Sequence, residues 1–278
     1  MSTAAQLKRF VTDAKELLES QDGKQLRLDQ KASSQQRRYA AQRFLMRLRP
    51  LESRFEGRLK RFFFELRGAI LAQFLQEALP NAASVKVPAL VERVILLFNP
   101  AKQRLRTVSE PFIQQAIEVG GDKLADFGIT FNLGDPAVRD LLTQRSGKIR
   151  NVVGTVERNL RRQLADGYEQ QETVTQLADR IRDVFNFTSA RSNTIARTEM
   201  SNAANAASIL GERQAGVERH QWATAGDELV RDTHAAQDGE IVALDEPFTN
   251  GLLYPGDTAG SAEEVVNCRC TTIPIFNE

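Results

Sequence analysis

Apolar side chains recur at intervals of three and four in the segment AAQLKRFVTDAKELLES, where Leu7, Phe10, Val11, Ala14, Leu17 and Leu18 share one face. That spacing predicts an amphipathic helix that needs a partner, ended by Gln21-Asp22-Gly23. A longer helical pattern runs from about Ser34 to Leu79 and carries Tyr39, Leu45, Leu48, Phe55, Leu59, Phe62, Phe63, Leu66, Ile70 and Phe74. Pro50 lies inside it. A proline lacks the N–H of the helical ladder and its ring crowds the preceding turn, so the helix is expected to end or kink near Arg49. From Pro80 the pattern loosens, and the three prolines of PNAASVKVPALVERVILLFNP bracket an apolar segment compatible with helix or strand. Ser109-Glu110-Pro111 has the form of a helix start, followed by Phe112, Ile113, Ala116, Ile117 and Val119, with Gly120-Gly121 as an interruption.

Beyond FNLGDPAVRDLL the pattern becomes regular. Asp135 stands at a cap position with Pro136 in the first turn. Helices are expected at about 135–143, 148–166, 173–186 and 188–212, separated by Gly147, Asp166-Gly167 and the short FNFTS. Thr173 and Gln176 form a candidate capping box. After Gly216 the texture changes to Gly, Pro and Asp, with the short β-prone runs EIVAL, GLLY and CTTIPIF. The fold class is therefore mainly α with a small C-terminal α+β lobe. Three regions are expected: a basic helical region 1–130, a helical stem 131–215 and the lobe 216–278.

Composition adds limits. The 278 residues are 41% hydrophobic and 26% charged with a net charge of +1, the profile of a globular protein with a real core. No apolar run approaches the roughly 20 residues of a membrane span, and no secretory leader pattern is present, so synthesis is expected in a cytoplasm, with no membrane partner. The near-neutral total hides a split: residues 1–150 hold 26 Lys+Arg against 16 Asp+Glu, and residues 151–278 hold 11 against 20. The densest basic stretch, 24–67, includes Arg37, Arg38, Arg43, Arg47, Arg54 and Arg58. These are candidate contacts to a polyanion such as duplex DNA, insensitive to sequence and sensitive to salt, or to an acidic protein face. Part of them serves only to solvate a helix whose other side buries Phe55, Leu59, Phe62 and Leu66.

Four pieces then stand in order: IARTEMSNAANAA (195–207), WATAGDELVRDTHAAQDG (222–239), YPGD (254–257) and NCRCTTIP (267–274). The ordered set resembles the phage head morphogenesis family typified by the Mu F-type minor head, or minor capsid, protein. The matching positions are Arg197, Thr198, Glu199, Asn202 or Asn205, Trp222, Asp227, Arg231, His234, Asp238-Gly239, Pro255-Gly256 and Cys268-Arg269-Cys270, over roughly 130–275. The insertion DTAGSAEEVV lengthens the loop before the cysteines. The resemblance implies a structural component of the virion, at the capsid interior or portal vertex. Its implied partners are the portal protein, the major capsid or scaffold proteins and packaged double-stranded DNA. Its implied work is head morphogenesis and DNA packaging, retention or ejection, with no catalytic residue.

The residues of the lobe allow a chemistry of their own. Cys268 and Cys270 are the only cysteines, and in a strand positions two apart face the same way. With His234 they make a candidate metal set, suited to a structural zinc, for which His220, Asp227, Asp232 or Asp238 could supply a fourth ligand. The same cysteines read equally as small buried hydrophobes in a last strand, or as a strained pair open to oxidation. His234 can simply bond a carboxylate, Trp222 can anchor the lobe core, and Arg197 can reach Asp227 or another acidic group of the lobe. The alternative function from another class is a metal-dependent hydrolase or nuclease built on His234, Asp227, Glu199 and the two cysteines. No nucleophile or phosphate loop accompanies them.

Overall fold

The computed structural model describes residues 32–79 and 87–276. The amphipathic helix expected at 4–20 lies outside the described residues. The remainder is mainly helical with a small C-terminal sheet, as the pattern predicted. In chain order the elements are α1 (Ser34–Ala78), α2 (Val87–Leu96), α3 (Phe98–Ala125), α4 (Pro136–Lys148), α5 (Arg150–Glu169), α6 (Val174–Ala190) and α7 (Ser192–Gln214), then β1 (Arg219–Ala223), α8 (Asp232–Ala236), β2 (Ile241–Ala243), α9 (Ala262–Val265) and β3 (Thr271–Ile275).

Three local expectations give way to packing. The long first helix does not end at Pro50: α1 runs through it for 45 residues. Buried Leu48 and Leu51 flank the proline, and burial on both sides holds the helix where the ladder loses one bond. Ser109-Glu110-Pro111 is not a helix start either, since α3 passes through Pro111. The Ser109 hydroxyl is turned back on its own helix, donating to the Leu105 carbonyl at 2.7 Å. Gly120-Gly121 does not interrupt α3. A Cβ on Gly120 would lie 2.1 Å from the Ala204 carbonyl oxygen, and one on Gly121 would lie 2.3 Å from the Phe131 ring. These glycines are where other chain segments come into contact with the helix.

Other signals are realised as written. The Asp135 carboxylate accepts from the Ala137 amide at 2.7 Å. Thr173 and Gln176 close the reciprocal capping box of α6. The segment left open at 80–110 is helical from Val87 onward.

The described residues divide into two compact units interleaved along the chain, so the expected boundaries at 130 and 215 both fall within one of them. One unit comprises residues 50–115 and 140–200. Its core collects Phe55, Leu59, Phe63, Ile70 and Phe74 of α1, Leu105 and Ile113 of α3, Val153, Leu160 and Leu164 of α5, and Ile181 and Phe185 of α6. Phe55 stacks on Phe112 at 5.0 Å. α5 packs along α6 and α2.

The other unit comprises residues 32–49, 116–139 and 201–276. Its sheet has the order β2-β1-β3, antiparallel throughout, with Trp222 opposite Thr272 and His220 opposite both Val242 and Pro274. Pro274 is tolerated because β3 is an edge strand, where a missing N–H leaves no neighbour unpaired. Of the three runs read as β-prone, EIVAL and CTTIPIF contain strands and GLLY does not. The central strand β1 shows no alternation because His220, Gln221, Trp222 and Ala223 are all buried.

Candidate functional site

β1 enters the lobe from α7, and the buried side chain of its Gln221 is bonded at both ends. Gln221 accepts from the Ala32 amide at 2.9 Å and donates to the Gly239 carbonyl at 3.0 Å. The Asp238-Gly239 turn folds over Arg37. Asp238 accepts from the Arg37 guanidinium at 2.9 and 3.2 Å and from the Thr224 amide at 3.0 Å. Burial pushes the Asp238 carboxyl up, but those donors outweigh it and hold it below its ordinary value. Gly239 has φ +89, and a Cβ there would meet the Arg37 guanidinium at 2.9 Å. Only glycine fits that turn.

The end of α7, Ser201–Ile209, is buried on every side, which small residues permit. Asn205 reads the backbone of the chain entering β3, donating to the Cys270 carbonyl at 3.0 Å and accepting from the Thr271 hydroxyl at 2.8 Å. Asn202 lies against the Pro255-Gly256 turn, where a Cβ on Gly256 (φ +83) would stand 2.1 Å from its Oδ1. Below them sits a buried ionic group that sequence reasoning missed. Lys123 donates to Thr271 Oγ1 at 3.1 Å and to the Thr272 carbonyl at 2.9 Å, and stands 3.8 Å from Glu212, which stands 3.6 Å from His220. Burial pushes the Lys123 amine down, with Glu212 and Asp126 opposing. A lysine inside a helical pattern carries no signal of burial.

The two cysteines meet His234 in the small hydrophobic cluster of Trp222, Phe248, Leu252 and Val265. His234, on α8, turns Nδ1 toward both sulfurs at 3.5 Å each, and its Nε2 lies 2.8 Å from the Glu264 carboxylate. The Cys270 amide donates to Cys268 Sγ at 3.5 Å. Trp222 meets the His234 ring edge-on at 5.1 Å. Arg231 ties down the chain leading into the cysteines, donating to the carbonyls of Glu264 at 2.5 Å and Val266 at 2.7 Å. Cys270's hydrogen bond outweighs burial and, with His234, holds the Cys268 thiol well below its ordinary value; Cys268 and burial push Cys270 well above. Among the described residues these three are the ones that could hold a metal: their ligand atoms all lie within 4.8 Å of one another.

The other predicted residues are elsewhere. Asp227 is taken by Arg269 in a bidentate pair of 2.6 and 2.8 Å, and Arg197 contacts Glu52 at 3.4 Å. Half-buried Glu199 has Arg145 and Lys148 as its charged neighbours, and burial, opposed by both, pushes its carboxyl up. Thr198 is half-buried beside it. Asp238 belongs to Arg37, and His220 stacks on Phe248 at 4.9 Å; neither joins the cysteines. Asp232 begins α8 and is outside the cluster as well. Among the basic candidates, Arg37 is buried in its pair with Asp238. Arg43 and Arg47 share Asp126 at 3.0 Å each, and Arg54 donates to Gln115. Arg38 and Arg58 are exposed.

Comparison with known proteins adds the context that geometry does not supply. Residues 155–273 match the model of a family described as Phage Mu protein F like protein. An uncharacterized protein of Haemophilus influenzae is 32% identical over 101 residues, 36% of this chain and 21% of that protein. The uncharacterized protein YqbB of Bacillus subtilis is 23% identical over 188 residues, 63% of this chain and 62% of its own length. The NAD(+)–arginine ADP-ribosyltransferase EFV of Enterococcus faecalis is 37% identical over 89 residues, 30% of this chain and 18% of that protein. The chain thus spans less than two thirds of each of these relatives. No solved structure matches it.

Proposed function

We propose, from the premise that residues 155–273 are a phage Mu protein F like region, that this protein is a minor head component of a tailed bacteriophage that works by binding and assembly. Its place in this reading is the virion, at the portal vertex or capsid interior, with portal, major capsid or scaffold proteins as neighbours. Its task is head morphogenesis together with packaging, retention or ejection of double-stranded DNA.

The observation that carries the reading is the family match, and the geometry agrees with it. The motif residues Asn202, Asn205, Arg231, Gly239, Gly256 and Arg269 are spent on holding turns and strand ends together. Residues with such duties suit an assembly module. Of the residues proposed for a hydrolase, Asp227 is paired with Arg269 and Glu199 has its own cationic neighbours. The activity named for the Enterococcus protein is not carried over by a match to 18% of its length. Among the described residues no helix is long and apolar enough to cross a membrane. Exposed Arg38 and Arg58 are the candidates for phosphate contacts, whose affinity for duplex DNA falls steeply as salt rises.

The test is imaging of the intact particle without imposed symmetry, paired with a phage lacking this chain. Density for the chain at the portal vertex and a fall in packaged, infectious particles are expected. Heads of normal yield and infectivity from the deletion overturn the proposal.

A further inference from the structure

The geometry points to a binding site for one divalent cation of the zinc class, held by His234 Nδ1, Cys268 Sγ and Cys270 Sγ. Three observations converge on it. The first is distance. Ligands at about 2.3 Å for sulfur and about 2.05 Å for nitrogen in a tetrahedron stand about 3.6 Å apart, and both sulfurs stand 3.5 Å from Nδ1. One imidazole nitrogen has a single lone pair or a single proton, so it can satisfy only one of two thiols by a hydrogen bond. A cation between the three atoms satisfies all of them.

The second is the carboxylate on the far side of the ring. His234 Nε2 lies 2.8 Å from Glu264 Oε2, a carboxylate that favours the tautomer with its proton on Nε2, the one in which Nδ1 can ligate a cation. Carboxylate, imidazole and metal in line is how ligating histidines are oriented. Thr233 holds the same carboxylate oxygen at 3.3 Å. The third is the surroundings. The Cys270 amide points at Cys268 Sγ, a donor that suits a thiolate. Two soft sulfurs and one imidazole select zinc over the harder magnesium or calcium.

Among the described residues no fourth His, Cys or carboxylate atom joins the cluster. Chemically the site is a staple: two thiols lose their protons to solvent, the cation joins the chain entering β3 to α8, and the charges of two thiolates and a divalent ion cancel inside an apolar pocket.

The experiment uses the full chain, purified under reducing conditions. Elemental analysis is expected to find about one zinc per chain, and Co2+ added to the metal-free protein is expected to give thiolate-to-cobalt charge-transfer absorption with the visible bands of tetrahedral cobalt. Cys268→Ser, Cys270→Ser and His234→Ala are expected to abolish those bands. Glu264→Gln leaves the ligands in place and is expected to weaken affinity about 10–100-fold. Folded protein that takes up neither metal, or binds cobalt without thiolate charge transfer, overturns the proposal. So does a Cys268→Ser variant that stays folded and keeps the wild-type bands. If the ligand variants do not fold, the cobalt spectrum of the unaltered chain decides by itself.

Discussion

Arg37 and Asp238, 201 residues apart in the chain, form an ion pair of 2.9 Å that closes the turn between α8 and β2 onto the start of α1. Arg37 also donates to the Ala32 carbonyl at 2.7 Å. Its guanidinium is a structural clamp, and removing it leaves a partly buried carboxylate without its partner. Arg37→Ala is expected to cost about 2–3 kcal/mol in chemical unfolding. Arg37→Lys is expected to recover only part, because an ammonium cannot serve the carboxylate and the Ala32 carbonyl in the same fork geometry.

The same pair sets a pH dependence. A carboxyl whose folded pKa is depressed adds stability that is present above its unfolded value of about 3.9 and lost as pH falls through the folded value. The Asp238 carboxyl is shifted in that direction. The stability gap between the wild type and Asp238→Asn is therefore expected to be largest near neutral pH and to close in acid below about pH 4. Denaturant midpoints measured from pH 7 to pH 3 check it, and a gap that widens in acid contradicts it.

Glu199 carries the opposite sign. Burial, opposed by Arg145 and Lys148, raises its carboxyl, so the stability it contributes is present below its unfolded value of about 4.3 and lost as pH rises through the folded value. Glu199→Gln is expected to raise the unfolding midpoint at neutral pH and to be without effect in acid. The comparison is made in the same titration.

Gly120→Ala separates local preference from packing. Inside a helix the change is favoured by about 1 kcal/mol on propensity alone, yet the new methyl would stand 2.1 Å from the Ala204 carbonyl oxygen, a backbone atom that cannot swing away. Net destabilisation of at least 1 kcal/mol is expected from overpacking, read as a lower thermal midpoint. A stabilised variant shows that α3 and α7 can part without cost.

The metal staple predicts a linkage. At free zinc about one hundred times the dissociation constant, the folded state gains about 2.7 kcal/mol. A chelator is expected to lower the melting temperature of the wild type and leave Cys268→Ser unchanged. Equal shifts in both place the chelator's effect elsewhere.

How much was legible follows from where each signal is stored. Periodicity at three and four reports one buried face, so α1 and α4 to α7 could be read off the chain. Cap chemistry is local, so Asp135 and Thr173 were as well. β1 was not, because a strand covered on both faces loses its alternation. Pro111 and Gly120-Gly121 misled for a related reason: each is a breaker by its own conformational preference, and each was overruled by burial on both sides of it; at Pro50 the helix likewise does not end.

For the lobe, the order of Arg197, Trp222, Arg231, His234, Cys268 and Cys270 along the chain was sufficient to point to a family, but the cysteines lie in the irregular chain just before β3 and not in the strand itself, so strand alternation is not what turns both sulfurs toward His234. Which histidine they face, which carboxylate lies behind it, and that Asp227 belongs to Arg269 required the tertiary structure. The reason is physical: spacing along a chain constrains neighbours within a few residues, whereas the partners of Asp227, Asp238 and His234 lie 42, 201 and 30 or more positions away. Only the packed sheet and the small-residue end of α7 decide which of those distant groups meet.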